Sequence, residues 1–199
     1  MPGAGKTILT SVVIDHLTQR FLNDPAVGIA YVYCNFQRQN EQNIDHLLSS
    51  ILRQLAETQP AMLDSVKSLY DRHRIKETRP LLTEILTSLC AVAATYSRLF
   101  VIVDALDECQ VLDGCQAQLF SSLFALQEKQ GANIFATSRF IPQILDHFKT
   151  SISLEIRATT ADVTRYLKGH MNQLPSCVRQ DPQLQEEIRI GISEGADGM

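Results

Sequence analysis

The chain has 199 residues, of which 45% are hydrophobic and 20% charged, the balance of an ordinary soluble domain and not of a disordered chain. The formal net charge is −4 and no lysine/arginine cluster stands out, so a nucleic-acid partner, which needs a concentrated basic face, is not expected. No apolar run approaches the ~20 residues of a membrane span and no basic-then-apolar leader opens the chain, so the expected location is cytoplasmic, away from membranes.

The chain alternates helical and strand patterns, which predicts βαβ units and a mainly parallel sheet. Ile8, Leu9, Val12, Val13 and Leu17 recur at helical spacing just after the first glycines. Val27 to Cys34 is a nearly continuous apolar run, expected to form a strand covered on both faces. Three helical stripes follow, each predicted to face a core: Ile44 to Leu55, Met62 to Tyr70, and Leu82 to Val92. Leu99 to Val103 reads as a buried strand that runs into Asp104. A helix over Leu119 to Leu126 stops at Gly131, and a short strand over Asn133 to Ala136 delivers Thr137-Ser138-Arg139. Ser151 to Arg157 alternates strictly and predicts a half-buried strand. Two helices are expected beyond it, over Ala161 to Met171 and Pro182 to Ser193. The five cysteines (Cys34, Cys90, Cys109, Cys115, Cys177) are odd in number and irregularly spaced, which predicts reduced, buried, small hydrophobes and no metal site.

Three strings carry chemistry. Pro2-Gly3-Ala4-Gly5-Lys6-Thr7 is most of the phosphate-cradle pattern G-x-x-x-x-G-K-[ST]. Glycines let successive backbone N–H groups turn inward on phosphate oxygens. The helix that starts near Lys6 adds the positive end of its dipole. Lys6 supplies a mobile charge, and the Thr7 hydroxyl is a hard ligand for Mg²⁺. Leu99 to Asp104 followed by Asp107-Glu108 is the second string, a Walker B arrangement. The strand presents Asp104 at its carboxyl end, where ligands bind in open α/β sheets, and either Asp107 or Glu108 is placed to orient or deprotonate an attacking water. The third string ends at Arg139, which suits a sensor of the terminal phosphate. Asn35 to Gln42, a polar stretch after a strand, is expected to line the same site.

Together these strings, with Tyr31-Val32-Tyr33-Cys34-Asn35-Phe36 and Val103-Asp104-Ala105-Leu106-Asp107-Glu108-Cys109, resemble the NACHT-type nucleotide-binding domain of the STAND class of P-loop ATPases. The resemblance is closer to the fungal members, whose domain is similar to the N-terminal region of nephrocystin-like proteins. It implies an α/β fold, the P-loop NTPase three-layer sandwich, with a mainly parallel sheet in the strand order 5-1-4-3-2. It implies ATP, less often GTP, with Mg²⁺. It implies a switch in which nucleotide exchange opens a multidomain receptor, which then self-associates and works with repeat or effector domains.

By residue, the resemblance implies cofactor binding by Gly3, Ala4, Gly5, Lys6 and Thr7, a metal held by Thr7 and Asp104, and catalysis by Asp107, Glu108 and Arg139. The core is expected over residues 1–157 and the start of a C-terminal helical region over 158–199. Both ends depart from the family pattern: the first loop glycine and the strand before it are missing, and the apolar helix and winged-helix region that usually follow are expected beyond Gly198-Met199. The fold is therefore expected to be truncated, and the chain alone to bind nucleotide poorly or to associate with itself. Two other readings remain: a P-loop kinase, and a non-catalytic interaction fragment that keeps the fold. A GTPase is disfavoured because no Asn-Lys-x-Asp string occurs.

Overall fold

The structure, a computed structural model, describes residues 5–38, 42–59, 64–109, 114–157 and 159–196. The chain divides into two compact units, one spanning Lys6–Ser151 and one holding the C-terminal stretch from Ile152.

In the first unit three parallel strands form a sheet in the order β1 (Val27–Tyr33), β2 (Arg98–Asp104), β3 (Asn133–Ala136). The register sets Tyr33 beside Asp104 and Val103 beside Ala136. This α/β arrangement matches the 2-3-4 portion of the strand order that the resemblance implies. Six helices accompany it: α1 (Lys6–Arg20), α2 (Ile44–Glu57), α3 (Asp64–Lys76), α4 (Leu82–Ala93), α5 (Cys115–Gln130) and α6 (Pro142–His147).

The sheet has two unlike faces. Ala30, Val32, Leu99, Val101 and Val103 point to the side covered by α2, α4 and α5. There they meet Leu48, Ile51, Leu55, Ile85, Leu89, Leu119 and Leu123, all essentially sealed from solvent. Gly28 faces the same side because nothing larger fits: a Cβ there would sit 2.9 Å from the Tyr96 ring and 3.0 Å from Leu55. The opposite face, defined by Tyr31, Tyr33, Phe100, Ile102 and Asp104, is met by α1. In α1 the one fully buried residue is Thr10, while Ile8 and Val12 are exposed. The periodicity of α1 was therefore a guide to helix and not to core.

Several expectations need correction. β1 is not covered on both faces: Tyr31 and Tyr33 stay exposed, because β1 is an edge strand with a closed core on one side only. Its outer edge is completed by side chains. The Gln54 amide accepts the Tyr31 N–H at 3.0 Å and donates to the Tyr31 carbonyl at 2.8 Å. Gln42 accepts the Asn35 N–H and donates to the Tyr33 carbonyl, both at 2.8 Å. The strand expected over Ser151 to Arg157 does not form, and Ile152 and Leu154 are exposed. Alternation makes a strand only beside a partner, and among the described residues β3 pairs with β2 alone. In the stripe from Met62 to Tyr70, Leu69 is buried but Tyr70 is exposed, and Met62 and Leu63 lie outside the described residues. Cys34, Cys109 and Cys115 are buried as expected, and no disulfide forms among the described residues, but Cys177 is exposed.

The second unit contains α7 (Thr160–His170), α8 (Ser176–Arg179) and α9 (Pro182–Ala196). A reciprocal cap opens α7: the Thr159 hydroxyl accepts the Asp162 N–H, and the Asp162 carboxylate accepts the Thr159 N–H. Hydrogen bonds from the Thr159 hydroxyl and backbone hold the Asp162 carboxyl below its usual range. No helix among the described residues is long and apolar enough to cross a membrane.

Candidate functional site

Lys6, Thr7, Asp104, Asp107, Glu108 and Arg139 lie at the carboxyl ends of the strands and the first turn of α1. Asp104 ends β2 and is 3% exposed. Its carboxylate accepts three hydroxyls. Thr7 Oγ1 donates to Oδ2 at 2.7 Å across 97 positions of sequence. Thr10 Oγ1 donates to Oδ1 at 2.7 Å, and Thr137 Oγ1 donates to the same oxygen at 2.6 Å. These three donors satisfy the hydrogen-bonding needs of a carboxylate held away from solvent.

The backbone leaves β2 abruptly. Ala105 has φ +54°, a left-handed conformation unusual for a residue with a Cβ. Its N–H donates to Thr137 Oγ1 at 2.9 Å. The Leu106 N–H donates to the Thr137 carbonyl, and the Thr137 N–H to the Val103 carbonyl. Thr137 thus anchors the turn Leu106–Glu108, a single 3₁₀ turn, to the end of β3.

That turn carries the acidic pair, and Arg139 closes on it. Asp107 Oδ1 accepts the Arg139 N–H at 2.9 Å, and Oδ2 lies 3.1 Å from Arg139 Nε. The Asp107 side chain is 3% exposed against 46% for Arg139. Glu108 Oε1 lies 3.7 Å from Arg139 Nη2, and its Oε2 accepts the Phe36 N–H at 3.3 Å. In this structure the groups expected to activate water and to sense phosphate are paired with one another. Phe36 belongs to the polar stretch expected to line the site. Gln42, from the same stretch, caps the edge of β1 instead.

Of the expected cradle, Gly3 and Ala4 lie outside the described residues. Gly5 has φ +84° with open space where a Cβ would stand, which suits a backbone turned toward a ligand. Lys6 and Thr7 begin α1, a 15-residue helix whose positive end faces the Asp104 carboxylate. Thr7 Oγ1 and Asp104 Oδ2 are hard oxygens, the donor type for Mg²⁺. Among the described residues no group of three or more His, Cys, Asp or Glu could hold a metal ion. A donor set of one hydroxyl and one carboxylate is what a cation uses when phosphates complete its shell. Thr7 Oγ1 and Asp104 Oδ2 thus have the chemistry of part of a Mg²⁺ shell.

Thr10 was missed from sequence. Its signal was a hydroxyl inside an otherwise apolar stripe, four residues after Lys6, where a one-turn step places it over the same strand end.

The sequence model of the family described as Nephrocystin 3, N-terminal, matches residues 1–139. The chain belongs to this family. The matched region ends at Arg139, so it takes in every candidate residue. As a nephrocystin 3 N-terminal domain the chain is also similar to "Vegetative incompatibility protein HET-E-1" of Podospora anserina, with 26% identity over 213 residues. That alignment covers 99% of this chain and 15% of the relative's length. The two matches support the NACHT-related placement that the motifs resemble.

Proposed function

We propose that the chain binds ATP, less often GTP, with Mg²⁺ and turns it over slowly as the conformational switch of a STAND-type receptor, in the fungal, nephrocystin-like subgroup of NACHT domains. The observation that carries this reading is the contact of Thr7 with Asp104, 2.7 Å apart in space and 97 positions apart in sequence. Thr7 of the Gly-Lys-Thr string against the acidic strand end supports one shared site. Mg²⁺, when bound, draws charge from the phosphate oxygens.

The amides of Gly3, Ala4 and Gly5 and the Lys6 ammonium hold the phosphates. Thr7 and Asp104 hold the cation. Glu108 or Asp107 takes the proton of the attacking water once Arg139 releases them toward the phosphate. The pairing of Arg139 with both carboxylates supports a resting state in which turnover waits on that exchange. We infer a place within a longer cytoplasmic protein, with repeat or effector domains and further copies of itself as partners; the far greater length of HET-E-1 supports the first part of that reading.

The test is calorimetric titration of the chain with Mg-ATP and Mg-GTP into the millimolar range. Lys6→Ala is expected to weaken binding about tenfold or more, near 1.4 kcal/mol per decade. Glu108→Gln is expected to lower phosphate release about a hundredfold with binding kept. Equal binding by the wild type and Lys6→Ala would instead favour the non-catalytic interaction fragment.

A further inference from the structure

We propose that Thr10 and Thr137 are positioning residues that lock one oxygen of Asp104 and leave only the other for the cation. This rests on the reading that Thr7 and Asp104 hold Mg²⁺.

The two carboxylate oxygens are treated differently. Oδ1 accepts both Thr10 at 2.7 Å and Thr137 at 2.6 Å. Two donors fill the two lone pairs of that oxygen. Among the described residues Oδ2 accepts Thr7 alone, and the Thr7 residue is exposed whereas Thr10 and Thr137 are buried. The open coordination is therefore on Oδ2, on the side of the Gly-Lys-Thr string.

Proton placement follows from the neighbours. Thr137 Oγ1 accepts the Ala105 N–H at 2.9 Å, which directs its own proton to Asp104. Thr10 Oγ1 lies 3.0 Å from the Lys6 carbonyl and 2.7 Å from Oδ1. The shorter, charge-assisted bond takes its proton. Each threonine comes from a different element, α1 and the end of β3, so the carboxylate is braced from two sides. A carboxylate braced in this way meets a cation through a single oxygen and cannot swing to offer both. Groups behind a metal ligand typically shift metal affinity by about 10- to 100-fold when removed.

The test uses the whole 199-residue chain with Mn²⁺ as the spectroscopic stand-in for Mg²⁺, read by electron paramagnetic resonance in the presence of ATP. ATP affinity in chelator and urea unfolding are measured alongside. Thr10→Val and Thr137→Val are each expected to weaken Mn²⁺ binding about tenfold, with metal-free ATP affinity unchanged. Thr10→Ser is expected to restore it. Should Thr10→Val fail to fold, Thr10→Cys keeps the size with a weaker donor and is expected to lie between valine and wild type. Folded valine variants that bind Mn²⁺ as tightly as wild type would overturn the inference while leaving the nucleotide reading intact. A wild-type chain that takes up no Mn²⁺ with ATP would overturn both.

Discussion

The two faces of the sheet divide the labour of the molecule. Behind β1 and β2, α2, α4 and α5 close an aliphatic core in which Leu48, Ile51, Leu55 and Leu89 are sealed. In front, Thr10 is the one fully buried residue of α1, and Ile8, Val12, Tyr31 and Tyr33 remain exposed. Stability is therefore concentrated on one side. The other side is free to gather Thr7, Thr10, Thr137 and Asp104, whose polarity a closed core would penalise.

The contrast can be broken most directly by truncation. Leu55→Ala opens a cavity over Gly28 and is expected to cost about 2–5 kcal/mol, whereas Ile8→Ser on the front face is expected to stay within about 0.5 kcal/mol. Urea unfolding of both variants checks the pair, and equal losses would erase the distinction.

The next effect concerns the edges. Gln54→Ala removes both bonds to the Tyr31 backbone and is expected to cost about 1 kcal/mol, since water replaces part of them. It should also promote self-association through the uncovered edge, read by sedimentation velocity. Hydrogen exchange sharpens the same point. The Tyr31 amide, held by Gln54, should exchange more slowly than those of Ile134 and Ala136. By the alternation of the ladder these two face away from β2, where the described residues offer them no acceptor.

The smallest expected effect is electrostatic. The Leu81 N–H bonded to Glu84, with help from His73 and Arg72, holds that carboxyl below its usual value. A lowered carboxyl stabilises fully above its unfolded pKa, and that contribution fades as pH falls through the folded value. Glu84→Gln should therefore lose less stability than wild type between neutral pH and about pH 3, as measured by thermal melts.

Much of this was legible in the residues. The stripes from Ile44 to Leu55 and Leu82 to Val92 became α2 and α4, because a wide apolar stripe has few other uses. Leu99 to Val103 became the central strand and put Asp104 at its end. Partnership was not legible. Ser151 to Arg157 has the alternation of a strand but, among the described residues, no neighbour to pair with, and β1 has the composition of a doubly covered strand but stands at an edge. Periodicity reports which side of an element is apolar and says nothing about what meets it. Of the three strings marked in the sequence, Thr7, Asp104, Asp107, Glu108 and Arg139 are joined by hydrogen bonds or ion pairs. The bond from Thr10 to Asp104 was not legible, because a buried threonine in a helix differs from a core residue only through the carboxylate facing it.

The left-handed kink at Ala105 has a mechanical consequence. Up to Asp104 the chain takes its position from its neighbours in the ladder. Past the kink, that position is dictated by Thr137, through one side-chain bond and one main-chain bond. Asp107 and Glu108 therefore ride on β3 more than on the strand that leads into them. A displacement at the end of β3 would reach the acidic turn and, through the Thr137 hydroxyl, the Asp104 carboxylate together.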